Sequence, residues 1–251
     1  MFDITGKVAL ITGSSKGIGR AIAEQFASAG AKVVVSSRRQ ESCDAVADAI
    51  TARDGEALAV ACHAGDHAQI DALVDRTVAH WGRIDVLVCN AGINPVYGPL
   101  TALGDEAFDK IMRVNVHSPL WLAARVLPLM AGAGGGSVVL MASIGGLRGS
   151  PVIGAYGMSK AALMSLARNL AVEWGPRGIR VNAIAPGVVR TDFAKALTED
   201  PERVARMKER TPLRRFGEPA EIAGIAHFLA SAASSYMTGQ VLVADGGETI
   251  T

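Results

Sequence analysis

Lys7-Val8-Ala9-Leu10-Ile11-Thr12-Gly13-Ser14-Ser15-Lys16-Gly17-Ile18-Gly19 is the stretch whose reading decides the fold. Its apolar opening suits a short strand buried on both faces. An amphipathic helical pattern follows the glycines, runs to about Ala29 and stops at Gly30. A strand, a glycine turn and a helix in succession aim backbone N–H groups at one point. That point, a helix N-terminus, is where a pyrophosphate binds. The spacing G-x-x-x-G-x-G differs from the commoner G-x-G-x-x-G, but it serves the same tight turn and close backbone approach. A ligand-free glycine turn would read the same way, so the decision rests on the rest of the chain.

Working outward, further short apolar runs at 31–36, 56–62, 84–89, 137–141, 179–184 and 240–244 read as strands. Between them lie helical patterns at 40–53, 66–81 (Asp66 as N-cap), 105–130, 155–174, 191–210 and 218–231, the last with Pro219 at an early position. Alternating strand and helix, with no repeat or long linker, predicts one α/β domain over 1–251. Its sheet should be mostly parallel, with helices on both faces. The 105–130 pattern is apolar on more than one side, with Leu120, Trp121, Leu122, Val126 and Leu127. It is expected to pack on its own sheet and on a partner subunit.

Composition excludes several function classes. Acids and bases nearly cancel at a net charge of +1, which gives no electrostatic case for nucleic acid or a membrane surface. No apolar run approaches the roughly 20 residues of a membrane span. The first residues show no apolar leader, and Cys43, Cys62 and Cys89 form no CxxC pair. Reduced, buried thiols in a cytoplasmic protein are expected, not a disulfide frame or a metal site.

The end of the second strand reads Ser36-Ser37-Arg38-Arg39, with no carboxylate before Glu41. An acid there takes the ribose 2′-OH of NAD, whereas a guanidinium suits a 2′-phosphate. The expected cofactor is therefore NADP(H) in preference to NAD(H), held by Arg38 with Ser37 and Lys16 in support. Tyr156 and Lys160, four residues apart, share one helix face. Bringing a tyrosine from its usual pKa of about 10 to act as a base near neutral pH takes a shift of roughly 3 units. A unit charge about 4 Å away supplies nearly that much. By spacing alone, the pair is equally an exposed ornament on an amphipathic helix.

By Asn90-Ala91-Gly92 the sequence resembles the short-chain dehydrogenase/reductase family. The likeness rests on Thr12-Gly13-x-x-x-Gly17-Ile18-Gly19, Asn90-Ala91-Gly92, Asn115, Ser143, Tyr156 with Lys160, and Pro186-Gly187 with Thr191. The ending Asp245-Gly246-Gly247 belongs to it too. The resemblance implies a Rossmann-like doubly wound sheet of about seven strands in the order 3-2-1-4-5-6-7. It implies that Tyr156 is the general acid/base and that Lys160 lowers its pKa and holds the nicotinamide ribose. Ser143 would hydrogen-bond the substrate oxygen, and Asn115 would hold a water that relays protons to Lys160. Cofactor contacts would come from Gly13, Ser15, Lys16, Gly17, Ile18, Gly19, Ser37 and Arg38, from Asn90, Ala91 and Gly92, and from Pro186, Gly187, Val188 and Thr191. His63 stands where the family commonly has an acid or amide against adenine, and takes that contact here.

The substrate pocket is expected over the C-terminal strand edges, with Ile93, Asn94, Gly145, Ile153 and Phe193 on its walls and residues 191–215 as a lid. That apolar lining suits a neutral ketone, an aldehyde or a secondary alcohol. A 3-oxoacyl-carrier-protein reductase is the nearest alternative. Residues 128–134 at the end of the long helix carry no cation to dock an acidic carrier. From a different class, a non-catalytic NADP(H) sensor or scaffold would be expected to have lost Tyr156, Lys160 or Ser143. A sugar-nucleotide epimerase would carry a different glycine loop. The family likeness also implies a homotetramer, or at least a dimer.

Overall fold

The computed structural model describes residues 1–194 and 201–251. Seven strands, β1 (Val8–Thr12), β2 (Lys32–Ser37), β3 (Glu56–Ala61), β4 (Val86–Cys89), β5 (Gly136–Met141), β6 (Ile179–Pro186) and β7 (Val241–Ala244), form one sheet. Its order is β3-β2-β1-β4-β5-β6-β7, and every neighbouring pair is parallel. This is the expected order. Leu10 of β1 lies between Val34 of β2 and Leu87 of β4. The chain winds one way from β1 through β2 to β3, then returns to β4 on the other side of β1. That reversal opens a crevice beyond the carboxyl ends of β1 and β4.

Both faces of the sheet are covered, which is why its central strands read as continuous apolar runs. On one face lie α1 (Gly17–Ser28), α2 (Gln40–Thr51) and α8 (Pro219–Ala230), where Ile22, Phe26, Val46, Ile50 and Leu229 pack on Ile11, Val33 and Val35. The other face holds α3 (His67–Trp81), α5 (Ser118–Gly132) and α6 (Gly154–Trp174). There Leu73, Leu122, Val126, Leu127 and Leu163 pack on Leu10, Leu87 and Leu140. Each large aliphatic side chain buried here contributes about 1.5–3 kcal/mol of transfer free energy. Asp66 caps α3 as expected, its carboxylate accepting from the Gln69 N–H at 3.1 Å, a device worth about 1 kcal/mol.

The structure corrects two expected helices. Residues 105–130 are not one regular helix: α4 (Asp105–Met112) passes through a π-helical turn (Arg113–His117) into α5. The wide turn carries Asn115, which is completely buried; π-turns recur at functional sites. Within 191–210, Asp192–Ala194 is a 3-10 turn and α7 spans Pro201–Arg210. Residues 195–200 of the expected lid lie outside the described residues, and so does the Arg203 side chain. Leu120 and Leu129 of α5 are exposed, so the second apolar face expected for this helix is uncovered in the single chain. Among the described residues, no helix is long and apolar enough to cross a membrane.

Candidate active site

The glycine loop is assembled by polar side chains from three strand ends. Thr12 Oγ1, at the tip of β1, accepts the N–H groups of Asn90 and Ala91, each at 3.2 Å. Asn90 Nδ2 returns two bonds, to the carbonyls of Thr12 and Gly13, both 3.0 Å. Ser14, fully buried, accepts the Ser36 N–H at 2.8 Å and donates to the Ile11 carbonyl at 2.7 Å. Thr12 and Ser14 thus tie β1 to β4 and β2, and neither role was evident from the letters. The Asn90 amide nitrogen thus staples the loop.

A side chain at Gly19 would stand 2.4 Å from both Asn90 Nδ2 and the Gly13 carbonyl, and one at Gly13 would stand 2.9 Å from Ala91 Cα. Only glycine lets the turn close. Past it, α1 begins with no acidic residue in its first turn and no side-chain cap. Its first N–H groups and the positive end of its dipole therefore remain available to an anion. A cleft of about 380 Å³ lies alongside, lined by Gly17, Thr191, Arg190 and the exposed ion pair Lys16–Asp192, 3.4 Å. This cradle fits a dinucleotide pyrophosphate. Lys16 thus pairs with Asp192, next to Thr191. The pair is open to solvent and exchangeable, since exposed pairs contribute little.

Arg38 and Arg39 are exposed at the end of β2, and neither has an ion-pair partner among the described residues. His63 is also exposed; its Nδ1 accepts the Gly65 N–H at 3.1 Å and its own N–H donates to Gln69 Oε1 at 2.9 Å. Ile18 is partly buried and packs against the core on the α1 side of the sheet. Gly187 follows β6 and abuts Asp245, where a side chain would stand 2.8 Å from the Asp245 Cα. Thr191 lies against the glycine loop, its methyl group 3.2 Å from where a Gly17 side chain would begin. Val188 is half-buried nearby, and its carbonyl accepts the Gly217 N–H at 3.0 Å.

Tyr156 and Lys160 occupy the first turns of α6. Gly145 and Gly146, just past β5, let the loop after that strand touch this helix. A side chain at Gly157 would stand 2.6 Å from the Gly145 carbonyl, and one at Gly146 would stand 2.7 Å from the Ala161 nitrogen. That closeness brings Ser143 beside Tyr156, where it acts to lower the phenol's pKa, and Ser143 Oγ accepts the Gly145 N–H at 3.1 Å. Gly157→Ala should push the loop away and lower kcat/KM by on the order of 10²-fold, the cost of about 1 Å of misplacement. A steady-state assay of the folded variant checks it.

Lys160 is buried, with Nζ donating to the Met141 carbonyl at 2.7 Å and standing 5.5 Å from the centre of the Tyr156 ring. Burial without a carboxylate partner lowers its pKa to about 8. Tyr156 is half-buried as a residue, but its phenol end is packed. Burial pushes it up to about 12, opposed by Ser143 and assisted by Tyr97. Burial is the largest influence on the phenol here, and Lys160 is not among the groups that shift it. At neutral pH the site holds a neutral phenol beside a charged amine, an arrangement able to give a proton away.

Asn115 makes three side-chain hydrogen bonds. Its Oδ1 accepts the Ile93 N–H at 2.8 Å, while Nδ2 donates to the Ile93 carbonyl and to Ser159 Oγ, each at 3.0 Å. Ser159 Oγ in turn donates to the Tyr156 carbonyl at 2.7 Å. The amide thus positions Ile93 and the start of α6. Asn94, Ile153 and Tyr156 share a small pocket with Val96, Leu100 and Ile111. Gly145 adjoins it, 3.6 Å from the Tyr156 ring at its virtual Cβ. Phe193 is half-exposed, its ring 6.1 Å from that of Tyr156.

With this geometry established, comparison with known proteins is decisive. A family profile described as "Enoyl-(Acyl carrier protein) reductase" matches residues 13–249. Dehydrogenase/reductase SDR family member 4 of Pongo abelii is 44% identical over 97% of this chain and 88% of its own length. The chain belongs to the short-chain dehydrogenase/reductase family. A gluconate 5-dehydrogenase from Burkholderia cenocepacia in complex with NADP and tartrate superposes with a TM-score of 0.96. It is 35% identical, over 100% of this chain and 98% of that one. A 7α-hydroxysteroid dehydrogenase complexed with NADH and 7-oxo glycochenodeoxycholic acid gives 0.95 at 38% identity, over 98% and 95%. Like its relatives, this short-chain dehydrogenase/reductase is an oxidoreductase that acts between CH–OH and C=O on small molecules and binds a nicotinamide cofactor.

Proposed function

We propose that the chain reduces a small, mostly apolar ketone or aldehyde with NADPH, or oxidises the matching secondary alcohol in reverse. The observation that carries this reading is the convergence of Ser143, Tyr156 and the buried Lys160 ammonium, whose Nζ stands 5.5 Å from the centre of the Tyr156 ring. A bound nicotinamide supplies or accepts the hydride. Ser143 Oγ–H hydrogen-bonds the substrate oxygen and polarises the carbonyl. As the carbon gains the hydride, Tyr156 gives its phenolic proton to that oxygen. Lys160 stays charged beside the tyrosinate so formed and also reaches the nicotinamide ribose. Asn115 and Ser159 act indirectly, holding Ile93 and the Tyr156 backbone. Thr191 and the Val188 backbone would orient the carboxamide.

The preference for NADPH rests on Arg38, a guanidinium at the end of β2 with no acidic partner among the described residues, and on Ser37 beside it. Arg38→Glu is expected to lower kcat/KM for NADPH by about tenfold or more, the worth of one charge-assisted phosphate contact. NADH should be nearly unaffected. If the wild type binds NADH more tightly than NADPH, the preference is wrong.

The apolar wall around Tyr156, formed by Val96, Leu100, Ile111 and Ile153, favours an uncharged substrate. No basic residue stands in the last turn of α5, which weighs against docking an acidic carrier protein. Exposed apolar side chains on α5 and α6, among them Leu120, Leu129, Met158 and Val172, support assembly into a dimer or tetramer through these helices.

A further inference from the structure

We propose that Cys43 is a positioning residue for cofactor choice, its buried thiol fixing the Ser37 hydroxyl at the corner that receives the adenosine ribose. The inference rests on the NADP(H) reading and adds a residue to it. Cys43 lies in the first turn of α2 and is completely buried. Its Sγ accepts the Ser37 N–H at 3.1 Å and stands 3.2 Å from Ser37 Oγ; the Ser37 and Val60 carbonyls lie 3.7 and 4.0 Å away. The Cys43 N–H closes the turn on the Arg39 carbonyl at 3.2 Å. One sulfur thus holds the last residue of β2 by backbone and side chain while α2 begins around Arg38 and Arg39.

A thiol can do this because it both donates and accepts weakly. When S–H donates to Ser37 Oγ, the serine hydroxyl keeps its own hydrogen for an acceptor arriving from outside. A 2′-phosphate oxygen is such an acceptor. An aliphatic residue at 43 would leave the Ser37 N–H only its ladder partner, the Val60 carbonyl opposite it in the pairing of Ser37 with Ala61, and the hydroxyl free to rotate. Serine at 43 would preserve both contacts. Cys43 touches neither substrate nor reacting atoms, so its effect should appear in cofactor discrimination and not in the chemical step.

The test is steady-state kinetics of the full chain with NADPH and with NADH, for wild type, Cys43→Ala, Cys43→Val and Cys43→Ser. Thermal melting shows which variants are folded, and either Ala or Val suffices for the comparison. The expected result is a ratio of kcat/KM for NADPH over NADH lowered about fivefold in the Ala and Val variants, the effect of one modest hydrogen bond. The loss should appear in the KM for NADPH, with kcat unchanged, and Cys43→Ser should keep the wild-type ratio. An unchanged ratio in Ala or Val, equal losses with both cofactors, or a Ser variant as impaired as Ala would overturn the role of Cys43 alone. A wild type that favours NADH would overturn the NADP(H) reading and this inference with it.

Discussion

Tyr156→Phe is expected to lower carbonyl reduction by roughly 10²–10⁴-fold, the range for removing a positioned general acid, while cofactor affinity stays at the wild-type value. The hydroxyl removed is the one beside Ser143. The ring that remains still packs near Phe193 and beneath Lys160. No bond to the glycine loop or to β2 is touched. Turnover measured with a ketone, together with titration of the cofactor by protein fluorescence, separates the two quantities. Equal loss of both would mean that the phenol serves binding and not proton transfer.

Lys160→Met should remove both. On the proposed mechanism the ammonium stabilises the tyrosinate and holds the nicotinamide ribose, so kcat should fall and the KM for cofactor rise together. The same variant has a signature in stability that does not depend on catalysis. Lys160 has a pKa of about 8 in the folded chain against an ordinary value of 10.5. Below about pH 8 both folded and unfolded chains carry the proton, and the penalty for burying the charge is fully present. Between about 8 and 10.5 the folded chain sheds its proton first, so stability rises with pH. Tyr156, Cys62 and Cys89 work the other way: with pKa values raised from 10.0 to about 12, from 9.0 to about 11 and from 9.0 to about 12, each lowers stability as pH climbs from its ordinary value to its raised one. The contribution of Lys160 is therefore isolated by difference: in denaturant melts the wild type should gain on Lys160→Met between pH 8 and about 10. A difference between the two that does not change with pH would contradict the buried, unpaired state of this amine.

The sheet was legible because its central strands are buried on both faces and leave unbroken apolar runs between amphipathic helices. The pairing of Tyr156 with Lys160 was legible from helical spacing. What brings Ser143 to them was not, because it depends on two backbone contacts. Those contacts, Gly145–Gly157 and Gly146–Ala161, join segments about a dozen residues apart with no shared periodicity. The π-turn at Arg113–His117 was hidden for a related reason: its apolar residues continue a helical pattern while the backbone widens around Asn115. The direction of the Tyr156 shift could not be read either. Spacing places the ammonium near the phenol, but only packing reveals how much water the phenol has lost. Asn90 and Thr12 were visible as family letters, yet their bonds to each other across β1 and β4 appear only in three dimensions.

The most direct test of the account is NADPH consumption by the wild-type chain against a panel of neutral ketones, aldehydes and 3-oxoacyl thioesters, with NADH run in parallel. The account predicts turnover of neutral carbonyls with NADPH, slower turnover with NADH, and none with Tyr156→Phe. Wild-type rates in the Tyr156→Phe variant, or turnover confined to carrier-bound thioesters, would contradict it.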